Sequence, residues 1–279
     1  MGEPMIDLLE LVWDSIIELG EGLDESEWKA PSELPGWTVQ DNLAHIIGTE
    51  LMMQGEPTPA NQPARTDHLH NPIGEMNEHW VEHYRALSGA EVLEVFRELS
   101  AQRLAELAAL PPEELDEIGP TPVGQAPFRE FLAVRVMDSW IHEQDMRRAL
   151  ARPGHLAGPA VDHSVARLVK AMPYVVGKQV GAPDGTSVVF TILPAASGDA
   201  HTGVEPRVVV VVVVVEGRAG LVDVAPDEPT ASLELDLDTF VALTTGRRDP
   251  ETALDQDQVR LGGDTDLARD VVRHLSFMV

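Results

Sequence analysis

The stretch Arg135-Val-Met-Asp138-Ser-Trp-Ile-His142-Glu-Gln-Asp145-Met-Arg-Arg-Ala-Leu150 decides how the first half of this chain is read. It belongs to a helix expected from about Pro127 to Ala151, closed by Arg152-Pro153-Gly154. Within it Asp138 and His142 stand four apart. On a helix that spacing puts both side chains on one face, one turn apart, where they can share a ligand. A second stretch, Thr38-Val-Gln-Asp41-Asn-Leu-Ala-His45, repeats the arrangement with Asp41 and His45. Paired across a helical bundle, two such turns would build a metal site of nitrogen and oxygen ligands with an open position. The same spacing also arises as a capping interaction or a side-chain hydrogen bond, and the two turns alone do not choose.

Working outward, the pattern predicts more helices. Met5, Ile6, Leu8, Leu9, Leu11, Val12, Ile16 and Ile17 recur at helical spacing, with acidic residues opposite. Pro31, Pro35 and Gly36 mark a loop. Thr38 with Asp41 reads as a capping box that opens a helix through about Gln54. Residues 56–72, rich in Pro, Asn, Thr and Asp, read as a long surface loop. A helix is expected from near Ile73, breaking at Ser88-Gly89, and another from Ala90 to Leu110, stopped by Pro111-Pro112. Residues 113–127 read as a connection. Long amphipathic helices with such links argue for a four-helix bundle over residues 1–157.

From residue 158 to 279 the pattern changes to α+β. A helix is expected from about Val161 to Gln179, followed by strands at 187–193, 207–216, 220–224 and 231–235. Helices at 238–245 and 264–278 flank a further strand at 258–261. The eight consecutive valines Val208 to Val215 read as a strand buried on both faces.

Composition narrows the partners. The chain has 279 residues, 43% hydrophobic and 24% charged, as in a soluble globular protein. Its formal net charge of -27 would repel phosphate backbones and anionic lipid, so neither nucleic acid nor a membrane is expected as a partner. With no cysteine, disulfides and any protein thiolate are excluded. The opening residues lack the basic start and apolar core of a signal peptide, and a cytoplasmic location is expected.

His79-Trp-Val-Glu82-His83 matches the H-x-x-E-H pattern of one zinc peptidase class. It lies beside a loop and a run of acidic residues, and is read as a solvent-facing pair without catalytic work. Arg147 and Arg148 are read as helix-terminus charges, and Trp37 and Trp140 as core anchors.

Leu34-Pro-Gly-Trp-Thr-Val-Gln-Asp-Asn-Leu-Ala-His45, taken with Arg135 to Leu150, resembles the mycothiol-dependent maleylpyruvate isomerase family, whose bundle is DinB-like. The likeness covers roughly residues 5–155. The tail, with Leu243-Thr-Thr-Gly-Arg-Arg-Asp-Pro250 and Val259-Arg-Leu-Gly-Gly-Asp264, resembles a sterol-carrier-protein-like α+β domain. The resemblance implies a divalent metal, usually zinc, held by His45, Asp138 and His142. Asp138 is one methylene shorter than the glutamate of the characterised isomerase. Asp145 and Asp41, each one turn from a ligand histidine, are candidates to orient those rings or simply helix residues.

Two imidazoles and one carboxylate would leave a coordination position open, as in catalytic zinc sites. The function implied is activation of a low-molecular-weight thiol such as mycothiol, for isomerisation or thiol transfer on a small electrophilic substrate. The sulfur would come from this cosubstrate. The alternatives are a metal-dependent hydrolase on the same site, or a non-catalytic protein holding a small apolar ligand. A monomer or weak dimer is expected, since two covalently joined domains could suffice.

Overall fold

The computed structural model describes residues 3–278 apart from 65, 68, 70, 122, 123 and 196–204. The chain divides into two compact units, Met1–Ser164 and Val165–Val279.

The first unit is helical. It contains α1 (Pro4–Glu21), α2 (Glu25–Trp28), α3 (Val39–Met53), α4 (Pro72–Tyr84), α5 (Gly89–Ala108) and α6 (Pro112–Leu115). A short hairpin of β1 (Ile118–Thr121) and β2 (Gly124–Pro127) leads into α7 (Phe128–Ala149). The bundle is made by α1, α3, α5 and α7, with α1 packed on α5 and α7, and α3 on α5 and α7. Helix α4 lies against α3, where Gly48 leaves no room for a Cβ beside the Trp80 side chain. The core is built from whole apolar faces: Leu9, Val12, Trp13 and Ile16 of α1, and Leu43, Ile46 and Ile47 of α3, are fully buried. Burying each such aliphatic side chain contributes about 1.5–3 kcal/mol. The Trp13 indole N–H also donates to Ser139 Oγ of α7 at 3.2 Å, and its ring meets Phe96 of α5 edge-on.

Helix starts follow the local chemistry. Thr38 caps α3, its hydroxyl accepting from Asp41 N–H while the Asp41 carboxylate accepts from Thr38 N–H at 2.8 Å. Ser88 and Glu91 form the same box at α5. Residues expected to form a plain connection at 113–127 instead carry α6 and the β1–β2 hairpin. Strand β2 opens on Gly124 at φ 104°, a conformation that L side chains rarely adopt.

Helix α8 (Pro159–Val169) spans the division between the units. The sequence pattern predicts one helix through Gln179, but the chain leaves α-geometry at Lys170. It resumes as α9 (Met172–Tyr174) and a π-helical turn, Val175–Gln179. Pro173 is the cause, since it lacks the N–H needed to reach the preceding turn and its ring clashes with that turn's carbonyl.

The second unit holds β3 (Ser187–Leu193), β4 (Val208–Val215), β5 (Arg218–Val222), β6 (Ala231–Asp236), α10 (Leu237–Thr244), α11 (Pro250–Asp255), β7 (Val259–Gly263) and α12 (Thr265–Arg273). The strands form one sheet in the order β5-β4-β3-β6-β7, with β3 and β6 parallel and the other pairs antiparallel. The valine run is the inner strand β4, but it is buried on both faces only at its centre. Val210, Val211 and Val212 are covered, while Val209 is 52% and Val215 60% exposed. Among the described residues no helix is long and apolar enough to cross a membrane.

Candidate metal centre

Helices α3 and α7 bring His45, Asp138 and His142 together. One ligand atom from each lies within 4.8 Å of the others, and among the described residues this is the group so arranged. The i,i+4 pair on α7 supplies Asp138 Oδ1 and His142 Nε2, 3.7 Å apart. From α3, His45 Nε2 reaches to 3.5 Å from Asp138 Oδ2. The two imidazole centroids are 4.6 Å apart. Both histidines are buried, whereas Asp138 keeps 24% of its side chain exposed and so marks the open side.

The tautomer of His142 follows from Asn42. The Asn42 amide donates to Thr38 O at 2.9 Å and to Ser32 Oγ at 3.1 Å, which fixes its oxygen as an acceptor. That oxygen lies 2.9 Å from His142 Nδ1, and Asp145 Oδ2 lies 3.3 Å from the same nitrogen. Nδ1 therefore carries the proton, and Nε2 presents its lone pair toward Asp138. Two acceptors facing each other at 3.7 Å repel unless a cation or proton comes between them. Asp145 is itself fully buried and held by Arg148 at 2.6 Å, and Arg148 in turn reaches Glu33 at 2.5 Å. The two arginines at the end of α7 are thus held by internal carboxylates, Arg147 by Glu143 and Arg148 by Asp145 and Glu33.

His45 is held differently. Its Nδ1 is buried and makes no hydrogen bond among the described residues. Asp41 does not serve it: that carboxylate is taken up by Thr38 N–H and by Arg85, whose Nε lies 3.2 Å away. The His45 ring is oriented by packing, with the Trp37 ring centroid 5.4 Å from it and 5.9 Å from His142. Trp37, only half-buried, is therefore a wall of the site and not the core anchor the sequence suggested. Its indole N–H donates to the fully buried Glu78 at 2.9 Å, which Arg85 neutralises at 2.6 Å. Trp140, in contrast, is wholly core.

The charge states suit a cation. Burial, with the facing His142, pushes His45 down from 6.5 to about 4 despite the hydrogen bond the ring can donate to the Asp138 carboxylate, so the ring is neutral near pH 7. Burial would raise Asp138, but the Arg135 guanidinium, followed by the hydrogen bond accepted from His45 and the adjacent histidines, outweighs it and holds the carboxyl well below 3.8. A neutral His45 imidazole, the Nε2 of His142 and an ionised carboxylate are a donor set for zinc or a similar divalent ion, with one side left open.

The other histidine motif forms no such site. His79 Nδ1 pairs with Asn61 Oδ1 at 2.8 Å, Glu82 turns to Arg85 at 2.8 Å, and His83 packs edge-on against Tyr84. In the second unit a cleft of about 1100 Å³ is lined by Glu234, Asp236, Asp238, Arg248, Arg260 and Arg269 among others. Such charged walls do not favour an apolar ligand.

Sequence reasoning missed Asn42, Glu50 and Arg135 as parts of this region. Asn42 meets His142 across 100 residues of sequence, and no local pattern marks that contact. Arg135 did carry a signal, since it precedes Asp138 by three residues on the same helix and bonds to its Oδ2.

Comparisons with known proteins follow the same division. Residues 9–147 match the mycothiol maleylpyruvate isomerase N-terminal domain, and residues 200–276 match the SCP-2 sterol transfer family. The solved structure of a mycothiol-dependent maleylpyruvate isomerase shares the fold, with TM-score 0.56 and 18% identity, over 93% of this chain and 92% of that one. A histidine-to-alanine mutant of a mycothiol-dependent maleylpyruvate isomerase aligns over the same shares, at TM-score 0.55 and 18% identity. No curated protein sequence matches the chain.

Proposed function

From a chain that joins a mycothiol maleylpyruvate isomerase N-terminal domain to a domain of the SCP-2 sterol transfer family, we propose a metal-dependent enzyme that activates a low-molecular-weight thiol, mycothiol, for reaction with a small electrophilic substrate. The observation that carries this reading is the convergence of His45, Asp138 and His142 within 4.8 Å on a helical bundle. The reaction is isomerisation about a double bond or transfer of the thiol.

His45 Nε2, His142 Nε2 and an Asp138 oxygen would hold the divalent cation, zinc by the chemistry of the donors. When bound, that ion supplies a Lewis acid that favours the deprotonated form of a thiol brought to its open side. The residues do the rest. Asn42 and Asp145 keep the proton of His142 on Nδ1, so that Nε2 stays available. Burial keeps His45 uncharged. Trp37, clamped by Glu78, covers both imidazoles and excludes water from that side. Since the chain contains no cysteine, the reacting sulfur must come from the cosubstrate.

Cobalt-substituted protein tests this directly. Titration with mycothiol is expected to raise a sulfur-to-metal charge-transfer band that saturates at one thiol per site. A spectrum that stays unchanged at saturating thiol would overturn the thiol reading and leave the hydrolase alternative, with water at the open position.

A further inference from the structure

Behind the three candidate ligands runs a row of buried ion pairs joining α3, α5 and α7. Glu50, five residues beyond His45 on α3, is 1% exposed. Its Oε1 accepts from Arg135 Nε at 2.9 Å, and its Oε2 from Arg103 Nε at 3.3 Å. Arg135, 2% exposed, donates from Nη1 to Asp138 Oδ2. Its Nη2 has no hydrogen-bond partner among the described residues. Arg103 also reaches Glu106 at the rim, at 2.7 Å.

We infer that Glu50 is a positioning residue for the metal centre and acts through Arg135: by sharing the guanidinium, it keeps Asp138 available to a divalent cation. The inference rests on the reading that His45, Asp138 and His142 hold such a cation. Glu50 is not itself a ligand, because both of its oxygens face arginines. Arg135 is a fixed cation bonded to a ligand carboxylate, and at this burial it competes with any metal for that carboxylate. Two features limit the competition. One Asp138 oxygen, Oδ1, faces His142 rather than Arg135. The other is Glu50, which divides the guanidinium between two carboxylates. Asp138, Glu50 and Glu106 set three carboxylates against the two guanidiniums of Arg135 and Arg103, leaving the row one negative charge. With Glu50 neutral, the row loses one negative charge and Asp138 is the one carboxylate left to Arg135. A dication would then bind beside a guanidinium compensated by its own ligand carboxylate alone, and its affinity should drop.

The test is competition titration of zinc ion against a chromophoric chelator, using the full chain stripped of metal. Glu50→Gln is expected to weaken zinc binding about ten- to hundred-fold, the range typical of groups that support metal ligands. Removing the competitor as well, in Glu50→Gln/Arg135→Gln, is expected to restore binding to the wild-type level or tighter. A merely structural role for Glu50 predicts no such rescue. His142→Ala serves as the control and should abolish binding at this site. Unchanged affinity in Glu50→Gln, or failure of the double variant to rescue, overturns the inference while leaving the centre in place. If the wild type binds no zinc, or His142→Ala binds it equally well, the metal reading itself fails and this inference with it. Should Glu50→Gln lose its helical circular dichroism, the double variant, which keeps the wild-type net charge of the row, decides alone, and weaker binding than wild type overturns the inference.

Discussion

Asn42 shows how much one side chain sets here. Its carbonyl oxygen fixes the proton of His142 on Nδ1, and nothing in residues 38–45 marks it for that role. Replacing it by alanine is expected to weaken zinc binding about ten- to hundred-fold without unfolding the bundle. Competition titration reads the change, and an unaltered affinity would contradict the tautomer argument. His45 makes a second prediction, for the metal-free protein. Its value in the unfolded chain is near 6.5 and in the fold about 4, because burial and His142 disfavour the charged ring. Between those values the unfolded chain takes up a proton that the folded one refuses, so stability falls as the pH drops from about 6.5 to about 4. The loss attributable to this ring approaches roughly 3 kcal/mol. Urea unfolding of wild type and His45→Gln across that window checks it, and equal pH slopes in the two proteins would contradict it. The spacing of Asp138 and His142 was legible in sequence because helix geometry converts four residues into one face. The partners of those residues were not, since Asn42 and Glu50 reach them from another helix.

At the scale of elements, capping and breaking chemistry accounts for most boundaries. Thr38 and Asp41 close the start of α3, the helix that delivers Asn42, His45 and Glu50. Thr38→Ala should cost about 1 kcal/mol, the usual price of a lost N-cap hydroxyl. Chemical denaturation measures that loss, and a variant as stable as wild type would show that the cap contributes nothing. The capping box and the helix stop at Pro111-Pro112 could be read from residue order alone. Pro173 could have been read as a helix break as well, but the apolar pattern around it suggests continuity. The hairpin at 118–127 was hidden because its strands are four residues each and contain Gly119 and Pro120, which are poor strand formers. The valine run showed its strand but not its ends, since burial at Val209 and Val215 depends on what the neighbouring strands cover.

For the whole molecule, the net charge of -27 is spread over a chain with 47 acidic and 20 basic residues. Self-repulsion of that size is screened by salt, so the thermal midpoint is expected to rise between about 10 mM and 500 mM sodium chloride. Differential scanning calorimetry reads this, and a falling midpoint would mean that ion pairs such as Arg85 with Glu78 outweigh the repulsion. The alternation of a helical half and an α+β half was legible from periodicity, because each half keeps one pattern over more than a hundred residues. What periodicity cannot supply is how α3 and α7 meet, and the proposed centre exists only through that meeting. The most direct measurement is therefore metal content after purification and zinc reloading, for wild type beside His142→Ala. One equivalent of zinc is expected in the wild type and none held at this site in the variant. Equal zinc in both proteins, or none in either, would contradict it.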